Sequence, residues 1–370
     1  DLNKLASLVN SGQASNCTFI LTGDIDMANS PGYIPIGTDE HKFMGTFYGN
    51  GHVISNVSIS QSGTSGVGIF GVTGNTARIL DLGVENATVS GKDYTGVIVG
   101  NSAGTITNCY VKGNVNVNGN SYVGAITGQA TNTIASSYTS GNININGSGY
   151  VGGLAGYINS SVRNSFVQDV NVTSSSGKAG GFTGVFGSAA SYDKISIKGT
   201  INVSGSNCIG GYVGSSDISL SNLNANVTGT VKATSGYVGG IAGSISSSRT
   251  ISNCNATMSI TGSGGNYVGG IVGYANSATI SQSSYNGTIT ATGTRNIGGI
   301  VGASASVITN CTASGMINAS GSSSSIGGII GSISHGNVTN CNSNMNINNS
   351  DTGNYIGGLI GQLDSSSIVV

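Results

Sequence analysis

Short apolar segments alternate with joints rich in glycine and serine along almost the whole chain. In residues 114–117, 142–145 and 288–290, β-branched apolar residues alternate strictly with Asn or Thr. Alternation with a period of two is typical of a β-strand that has one buried face. Beyond the first residues, no window longer than a few positions shows the helical period. The pattern therefore predicts an all-β chain.

One seven-residue pattern recurs at nearly constant spacing, and at residues 237–243 it reads Tyr-Val-Gly-Gly-Ile-Ala-Gly. Its closing glycines lie 28 to 30 residues apart, at Gly71, Gly100, Gly128, Gly156, Gly184, Gly214, Gly243, Gly273, Gly302, Gly331 and Gly361. A fixed period of this length indicates a repeat architecture.

Each repeat contains three short segments that read as strands. About ten residues after the first pattern comes a second, as in Ile-Ser-Asn-Cys at 251–254, and the alternating segment follows it. Three short strands cannot bury their apolar faces alone, so successive repeats must stack and pair as parallel strands. We expect an all-β, parallel β-solenoid (β-helix) of about eleven three-strand rungs, each of about 29 residues, with a length of roughly 50 Å. Glycine and Asn at the joints would supply the left-handed conformations that tight corners need.

The first 60 residues depart from this repeat. Leu2, Leu5 and Val9 share one helical face, and the two prolines, Pro31 and Pro35, follow. We therefore predict a short helix-containing cap with an opening motif at 1–60 and β-solenoid repeats at 61–370. The chain begins without Met, which suggests a removed leader or a start within a longer protein. It stops as a further strand begins at 367–370, so we expect either more repeats or an open edge that binds another molecule.

Composition excludes several partners. Only 7% of residues are charged, the net charge is −1, and 63 residues are glycine, while 37% are hydrophobic. No basic cluster is present to bind nucleic acid or an anionic membrane surface. The apolar runs are too short to span a bilayer, so we expect no nucleic-acid partner and no membrane insertion by this segment. Six cysteines do not fix the compartment.

The segment 43–57, Phe-Met-Gly-Thr-Phe-Tyr-Gly-Asn-Gly-His-Val-Ile-Ser-Asn-Val, resembles the opening motif of the glycine-rich solenoid repeats known as the GLUG motif. Residues 21–27 and 34–37 are similar to the stretches that precede this motif. Tyr48 stands where the family has Asp, and the Trp usual before Pro35 is missing. The resemblance covers nearly the whole chain and implies an exported, adhesin-like or structural surface protein. Some members carry a separate peptidase domain, which this chain lacks.

Candidate catalytic and metal-binding residues are sparse. The densest acidic group is Asp24, Asp26, Asp39 and Glu40, for which surface or turn roles are favoured over a calcium-type site or catalysis. His52 lies within the opening motif without a second ligand at metal-binding spacing, which favours a structural role. We predict no catalytic residue, no cofactor and no metal site.

Cysteine and tyrosine recur at fixed repeat positions. Cys311 and Cys341 are one rung apart and should stack; a buried thiol ladder is favoured, with a disulfide and then a metal site as alternatives. Six tyrosines could line one face, and mutual packing is favoured over glycan stacking: Tyr94, Tyr122, Tyr150, Tyr237, Tyr267 and Tyr355. An ice-binding threonine array is disfavoured because the threonines do not recur at a constant position.

Asn-x-Ser/Thr sequons are frequent. In a eukaryotic source, some could carry glycans on outward faces; the candidates are Asn56, Asn86, Asn171, Asn226, Asn286 and Asn318.

These features together favour a non-enzymatic extracellular or cell-surface structural protein. It would be an adhesin-like stalk or the subunit of a filament that assembles end to end. Its partners would be further copies at the open solenoid ends or a host or cell-surface ligand. The alternative is a carbohydrate-binding module on a β-solenoid, with carbohydrate cleavage less favoured because no acidic pair marks a groove.

Overall fold

The computed structural model describes residues 2–30, 32–264, 267–304, 307–321, 323–350, 355–363 and 367–369. It confirms the predicted fold class, a parallel β-solenoid with one short N-terminal helix. The chain divides into two compact units, Asp1–Ser175 with Phe182–Ser196, and Ser176–Gly181 with Ile197–Val370.

The elements as far as residue 193 are, in chain order, α1 (Leu2–Asn10), β1 (Thr18–Ile20), β2 (Ile25–Asp26), β3 (Thr46–Tyr48), β4 (Val53–Ser60), β5 (Phe70–Thr73), β6 (Arg78–Leu80), β7 (Gly83–Ser90), β8 (Val99–Ser102), β9 (Thr105–Thr107), β10 (Tyr110–Asn118), β11 (Tyr122–Gly124), β12 (Thr127–Ala130), β13 (Ile134–Ala135), β14 (Tyr138–Gly147), β15 (Tyr150–Gly152), β16 (Ala155–Ile158), β17 (Ser161–Arg163), β18 (Phe166–Ser174), β19 (Lys178–Gly180), β20 (Thr183–Phe186) and β21 (Ser191–Asp193).

The following elements are β22 (Ser196–Gly205), β23 (Cys208–Gly210), β24 (Val213–Ser216), β25 (Leu220–Ser221), β26 (Asn224–Ala225), β27 (Thr230–Ala233), β28 (Tyr237–Gly239), β29 (Ala242–Ile245), β30 (Thr250–Ser252), β31 (Asn255–Ala256), β32 (Ser259–Ser263), β33 (Tyr267–Gly269), β34 (Val272–Ala275), β35 (Thr279–Ser281), β36 (Ser284–Thr292), β37 (Asn296–Gly298), β38 (Val301–Ser304), β39 (Val307–Thr309), β40 (Thr312–Ser320), β41 (Ser325–Gly327), β42 (Ile330–Ile333), β43 (Gly336–Thr339), β44 (Asn342–Asn349), β45 (Tyr355–Gly357), β46 (Ile360–Leu363) and β47 (Ser367–Val369).

The helix α1 has an apolar face formed by Leu2, Leu5 and Val9, all buried. It is followed by Gly12 at a φ of +80°, the left-handed conformation in which helices commonly end. The Asn10 amide then donates to the Pro35 carbonyl at 3.0 Å, which ties the helix to the segment that follows it.

In the first unit, every strand pairs in parallel with its counterpart one turn away. One sheet has the order β1-β3-β6-β9-β13-β17-β21, and β5, β8, β12, β16 and β20 form another in turn. The strands of residues 18–60 already take part, since β3 pairs with β6 and β4 with β7. The domain boundary at residue 60 stays a prediction.

The second unit repeats this arrangement. Its sheets include the orders β25-β30-β35-β39-β43-β47 and β28-β33-β37-β41-β45. The register pairs similar apolar residues of successive turns: Val238 pairs with Val268, and Val268 pairs with Ile297. Stacking in this register produces columns of buried Val and Ile along the solenoid interior.

The Tyr-Val-Gly-Gly segment, predicted as one strand, forms two. In the repeat that begins at Tyr267, β33 ends at Gly269 and β34 begins at Val272, with a corner between them. A Cβ on Gly269 would lie 2.1 Å from the Val272 carbonyl oxygen, so glycine is needed where the corner closes. A typical turn therefore carries four strands.

Left-handed residues mark a second set of corners. Asn108, Asn253, Asn310 and Asn340 each precede a cysteine and have φ between 51° and 54°. Asn is the non-glycine residue that tolerates this conformation best. The expectation that Asn supplies the joints is thus confirmed at the Asn-Cys positions.

Candidate functional surfaces

The cysteine of the Asn-Cys pattern completes a corner inside the core. Cys254 is buried, and its Sγ donates to the Ser252 carbonyl at 3.3 Å. Ser283 occupies the same position one turn later and donates to Ser281 at 2.8 Å. The Ser283 hydroxyl also accepts from the backbone N–H of Cys254 at 3.2 Å, which links the two turns. Burial raises the pKa of Cys254 to about 11, so this thiol is a structural group.

Cys311 and Cys341 lie in the same column, one turn apart, as the sequence predicts. Both are thiols in the structure, with Cys311 buried and Cys341 half-buried. The Cys311 thiol donates to the Thr309 carbonyl at 3.3 Å. Interaction between the two neighbouring thiols raises the pKa of Cys311 and lowers the pKa of Cys341. The disulfide between them stays a prediction.

The repeated tyrosines form short stacks of half-buried rings. The rings of Tyr94 and Tyr122 are 4.8 Å apart and within 6° of parallel, and Tyr237 stacks on Tyr267 at 5.4 Å and 8°. Tyr150 meets Tyr122 edge-on, at an interplanar angle of 87°. Rings inside a stack cover each other's faces, so only a ring at the end of a stack has a face free for a ligand.

A second aromatic column was not singled out from the sequence. Tyr110 stacks on Tyr138 at 5.2 Å, and Tyr138 stacks on Phe166 at 4.7 Å. The signal for it was present, because each ring directly follows the residue that holds the Cys-column position, Cys109 or its serine equivalents.

Asp24 and Asp26 precede the opening motif and bond to residues within it. Asp24 accepts from the backbone N–H of Val53 at 2.9 Å and contacts Nδ1 of His52 at 3.1 Å. The bond from Val53 and then the one with His52 lower the pKa of Asp24. Asp26 accepts from Asn56 at 2.9 Å, which lowers its pKa in the same way. Among the described residues, no group of three or more His, Cys, Asp and Glu side chains could hold a metal ion.

The six candidate glycosylation sites differ in exposure. Asn56, Asn86, Asn171, Asn226 and Asn286 are exposed, whereas Asn318 is half-buried. The amide oxygen of Asn86 also accepts from the backbone N–H of Asn114 at 3.0 Å. Glycosylation at these positions stays a prediction.

The turn at 355–363 presents large apolar side chains to solvent. Tyr355 is 61% exposed, Ile356 51% and Leu363 50%. Ile356 pairs in register with Ile326, which is fully buried one turn earlier. This surface is called the 355–363 edge below.

A groove opens one turn before Tyr94, the first ring of the first tyrosine stack. It has a volume of about 250 Å³ and is lined by apolar Ile34 and Pro35 and by polar Asp39, Gln61, Thr64 and Ser65. Gly66, which also lines it, donates its N–H to the Asp93 carbonyl at 2.8 Å, next to Tyr94.

Within the described part of the chain, no helix is both long and apolar enough to cross a bilayer.

Fold and side-chain columns together define a glycine-rich β-solenoid repeat protein. The resemblance drawn from the sequence is confirmed, since residues 293–318 match the family model described as the GLUG motif.

Two curated proteins resemble parts of the chain. One is halomucin of Haloquadratum walsbyi, 38% identical over 125 residues, which are 31% of this chain and 1% of halomucin. The other, described as a candidate Gly-rich membrane protein of Evansella cellulosilytica, is 32% identical over 102 residues, 25% of this chain and 12% of that protein. The chain thus matches only a small part of either relative's length.

Among solved structures, the chain is similar to a candidate immunoglobulin A1 protease from Bacteroides ovatus. The TM-score is 0.38 at 23% identity, over 86% of this chain and 74% of the other. At these values the likeness carries no argument about activity.

Proposed function

We propose that this chain is a non-enzymatic structural segment of a cell-surface protein, a β-solenoid stalk with an adhesin-like role. The observation that carries the proposal is the stacking of like residues in successive turns, on the surface as well as in the core. Asn142 donates to Asn114 at 3.3 Å, and Asn144 donates to Asn116 at 3.3 Å. Side chains that bond to the neighbouring turn help to keep successive turns in register. A spacer requires such a regular structure.

The comparisons support a surface location at a coarse level. One relative is named as a mucin and the other is described as a membrane protein, and both are much longer than the region matched here. A non-enzymatic role is supported by the carboxylates of Asp24 and Asp26, which accept structural hydrogen bonds from Val53 and Asn56 of the opening motif.

Localisation tests the proposal directly. Antibodies raised against residues 2–363 should label intact cells of the source organism as strongly as permeabilised ones. Labelling that appears only after permeabilisation would contradict a surface stalk. Hydrolysis of peptide or glycan substrates by the purified chain, abolished by one point substitution, would contradict the non-enzymatic role.

A filament subunit is the second candidate, because within each unit every turn pairs in parallel with its neighbour and a further copy could continue that pairing. A copy stacked on the 355–363 edge would cover Ile356 and Leu363. Sedimentation velocity at rising concentration should then show growing oligomers, and a variant carrying Ile356→Lys and Leu363→Lys should stay monomeric. A wild-type chain that is monomeric at every concentration would refute assembly through this edge.

A further inference from the structure

Tyr94 has an unusual backbone conformation for an aromatic residue. Its φ is +56°, in the left-handed region that favours glycine, whereas Tyr122 and Tyr150 at the equivalent repeat position lie within regular strands. A bulky residue held in this region is strained, and such strain concentrates at functional sites. Lys194 and Gln282 share this conformation, so the φ of Tyr94 sets it apart within its own repeat position and not within the fold.

The turn before Tyr94 leaves one face of its ring without an aromatic partner. The bridge between Val67 and Thr95 places Gly66 at the position equivalent to Tyr94, with the same left-handed backbone and a φ of +72°. Tyr122 covers the opposite face of the ring at 4.8 Å. Because Gly66 has no side chain, Tyr94 ends the stack, and the groove lies on the side of Gly66.

The groove on the side of Gly66 has both apolar and polar lining. Ile34, Pro35 and Val72 are apolar, while Thr64 and Ser65 supply hydroxyls and Asp39 a carboxylate. A sugar ring has the same division, with C–H groups on its faces and hydroxyls around its rim. C–H groups pack on the negative face of an aromatic ring, and carboxylates accept hydrogen bonds from hydroxyls.

We propose that Tyr94 and the adjoining groove, which Gly66 lines one turn earlier, form a binding subsite for a neutral polysaccharide. Tyr94 stacks on one pyranose ring, and the side chains of Asp39 and Ser65 bind hydroxyls at its rim. Asp93 lies on the same side, where its carboxylate accepts from the Ser65 hydroxyl at 3.4 Å. Two carboxylates beside the ring disfavour an anionic sugar by repulsion.

The polarity of the phenol fits this role. Burial, followed by the nearby Tyr122, Asp93 and Asp39, raises the pKa of Tyr94. The ring therefore stays neutral at physiological pH, with a hydroxyl that can donate to a sugar oxygen.

The test uses the full 370-residue chain with cellohexaose as the probe, measured by isothermal titration calorimetry and saturation-transfer NMR. We expect a Kd below about 1 mM for the wild type. Tyr94→Gly should weaken binding at least about tenfold, since it removes the ring. Glycine is at ease at a φ of +56°, so this variant should remain folded, with a Tm within about 3 °C of wild type.

A second variant tests the groove separately from the ring. Thr64→Arg should fill the groove and weaken binding while Tyr94 is retained, whereas Ser58→Arg, at an exposed position of β4, should have no effect. Tyr237→Leu removes the first ring of the other stack and should leave binding unchanged.

Three outcomes would overturn the proposal: no binding of cellohexaose up to about 10 mM, equal binding by the wild type and Tyr94→Gly, or binding of the anionic hexagalacturonate as tight as that of cellohexaose. Each bears on this subsite alone, since the surface-stalk proposal is tested by localisation.

Discussion

Replacing Gly269 with alanine should destabilise the second unit far more than an ordinary surface substitution. An added Cβ would lie 2.1 Å from the carbonyl oxygen of Val272 and 2.8 Å from both the N of Gly302 and the O of Ile300. All three atoms belong to the backbone, and the last two belong to the next turn. No side-chain rotation can relieve the contacts, so the corner or the neighbouring turn must move.

The magnitude follows from these distances. The nearest contact must lengthen by about 1.3 Å to reach an ordinary van der Waals separation of 3.4 Å. Overpacking of a well-packed site costs about 1–3 kcal/mol, and rigid backbone neighbours place Gly269 at the upper end of that range. The reduced entropy of the unfolded alanine chain returns about 0.5 kcal/mol. We expect the free energy of unfolding to fall by about 2–3 kcal/mol.

Urea denaturation followed by circular dichroism measures the change, with hydrogen exchange at β33 and β34 to locate it. Gly63→Ala is the matched control, because a Cβ there meets nothing within 4 Å. It should be neutral or slightly stabilising. A folded Gly269→Ala protein within about 0.5 kcal/mol of wild type would refute the close-approach argument. A Gly63→Ala variant that loses as much stability as Gly269→Ala would also refute that argument.

Three further predictions concern buried polar groups. Cys254→Ser should change stability by less than about 0.5 kcal/mol, because Ser283 fills the same role one turn later. Cys254→Val removes the thiol donor from the Ser252 carbonyl, which keeps the N–H of Asn222 at 3.1 Å, and should cost about 0.5–1.5 kcal/mol by urea denaturation. Tyr33→Phe should lower Tm and cost about 0.5–1.5 kcal/mol, since the Ile69 carbonyl loses the Tyr33 hydroxyl at 2.9 Å and keeps only the N–H of Ile36 at 3.0 Å. Cys341 has a lowered pKa, so alkylation followed by mass spectrometry should show it reacting at lower pH than Cys254, with thiolate lost as pH falls; equal pH profiles for the two would contradict this.

The fold could be predicted because the same pattern of apolar residues and glycines recurs in every repeat. Apolar alternation fixed the strands, and the constant spacing of closing glycines such as Gly243 and Gly273 required that repeats stack in register. The division of the Tyr-Val-Gly-Gly segment into two strands was missed. The chain turns a corner at Gly269, where a Cβ would lie 2.1 Å from the Val272 carbonyl oxygen. The alternation of apolar and polar residues along one strand does not reveal so close an approach.

The stacked cysteines and tyrosines were predictable to the level of columns. Register alone places Cys341 one turn from Cys311, and Tyr122 one turn from Tyr94. Register does not reveal which group in a column donates, nor which ring ends a stack, because both depend on the residue that fills the neighbouring turn.

The proposed sugar subsite depends on a residue in the neighbouring turn, so the repeat pattern alone does not reveal it. In sequence, Tyr94 looks like Tyr122, since each begins the same short pattern. The difference comes from Gly66, 28 residues earlier, which leaves one ring face open and shares the left-handed backbone of Tyr94. Glycine at position 94 would serve a regular stalk as well as tyrosine does, since Gly66 holds the same backbone conformation one turn earlier. A passive spacer therefore predicts no functional loss from Tyr94→Gly, whereas a spacer that also binds a glycan predicts weaker sugar binding.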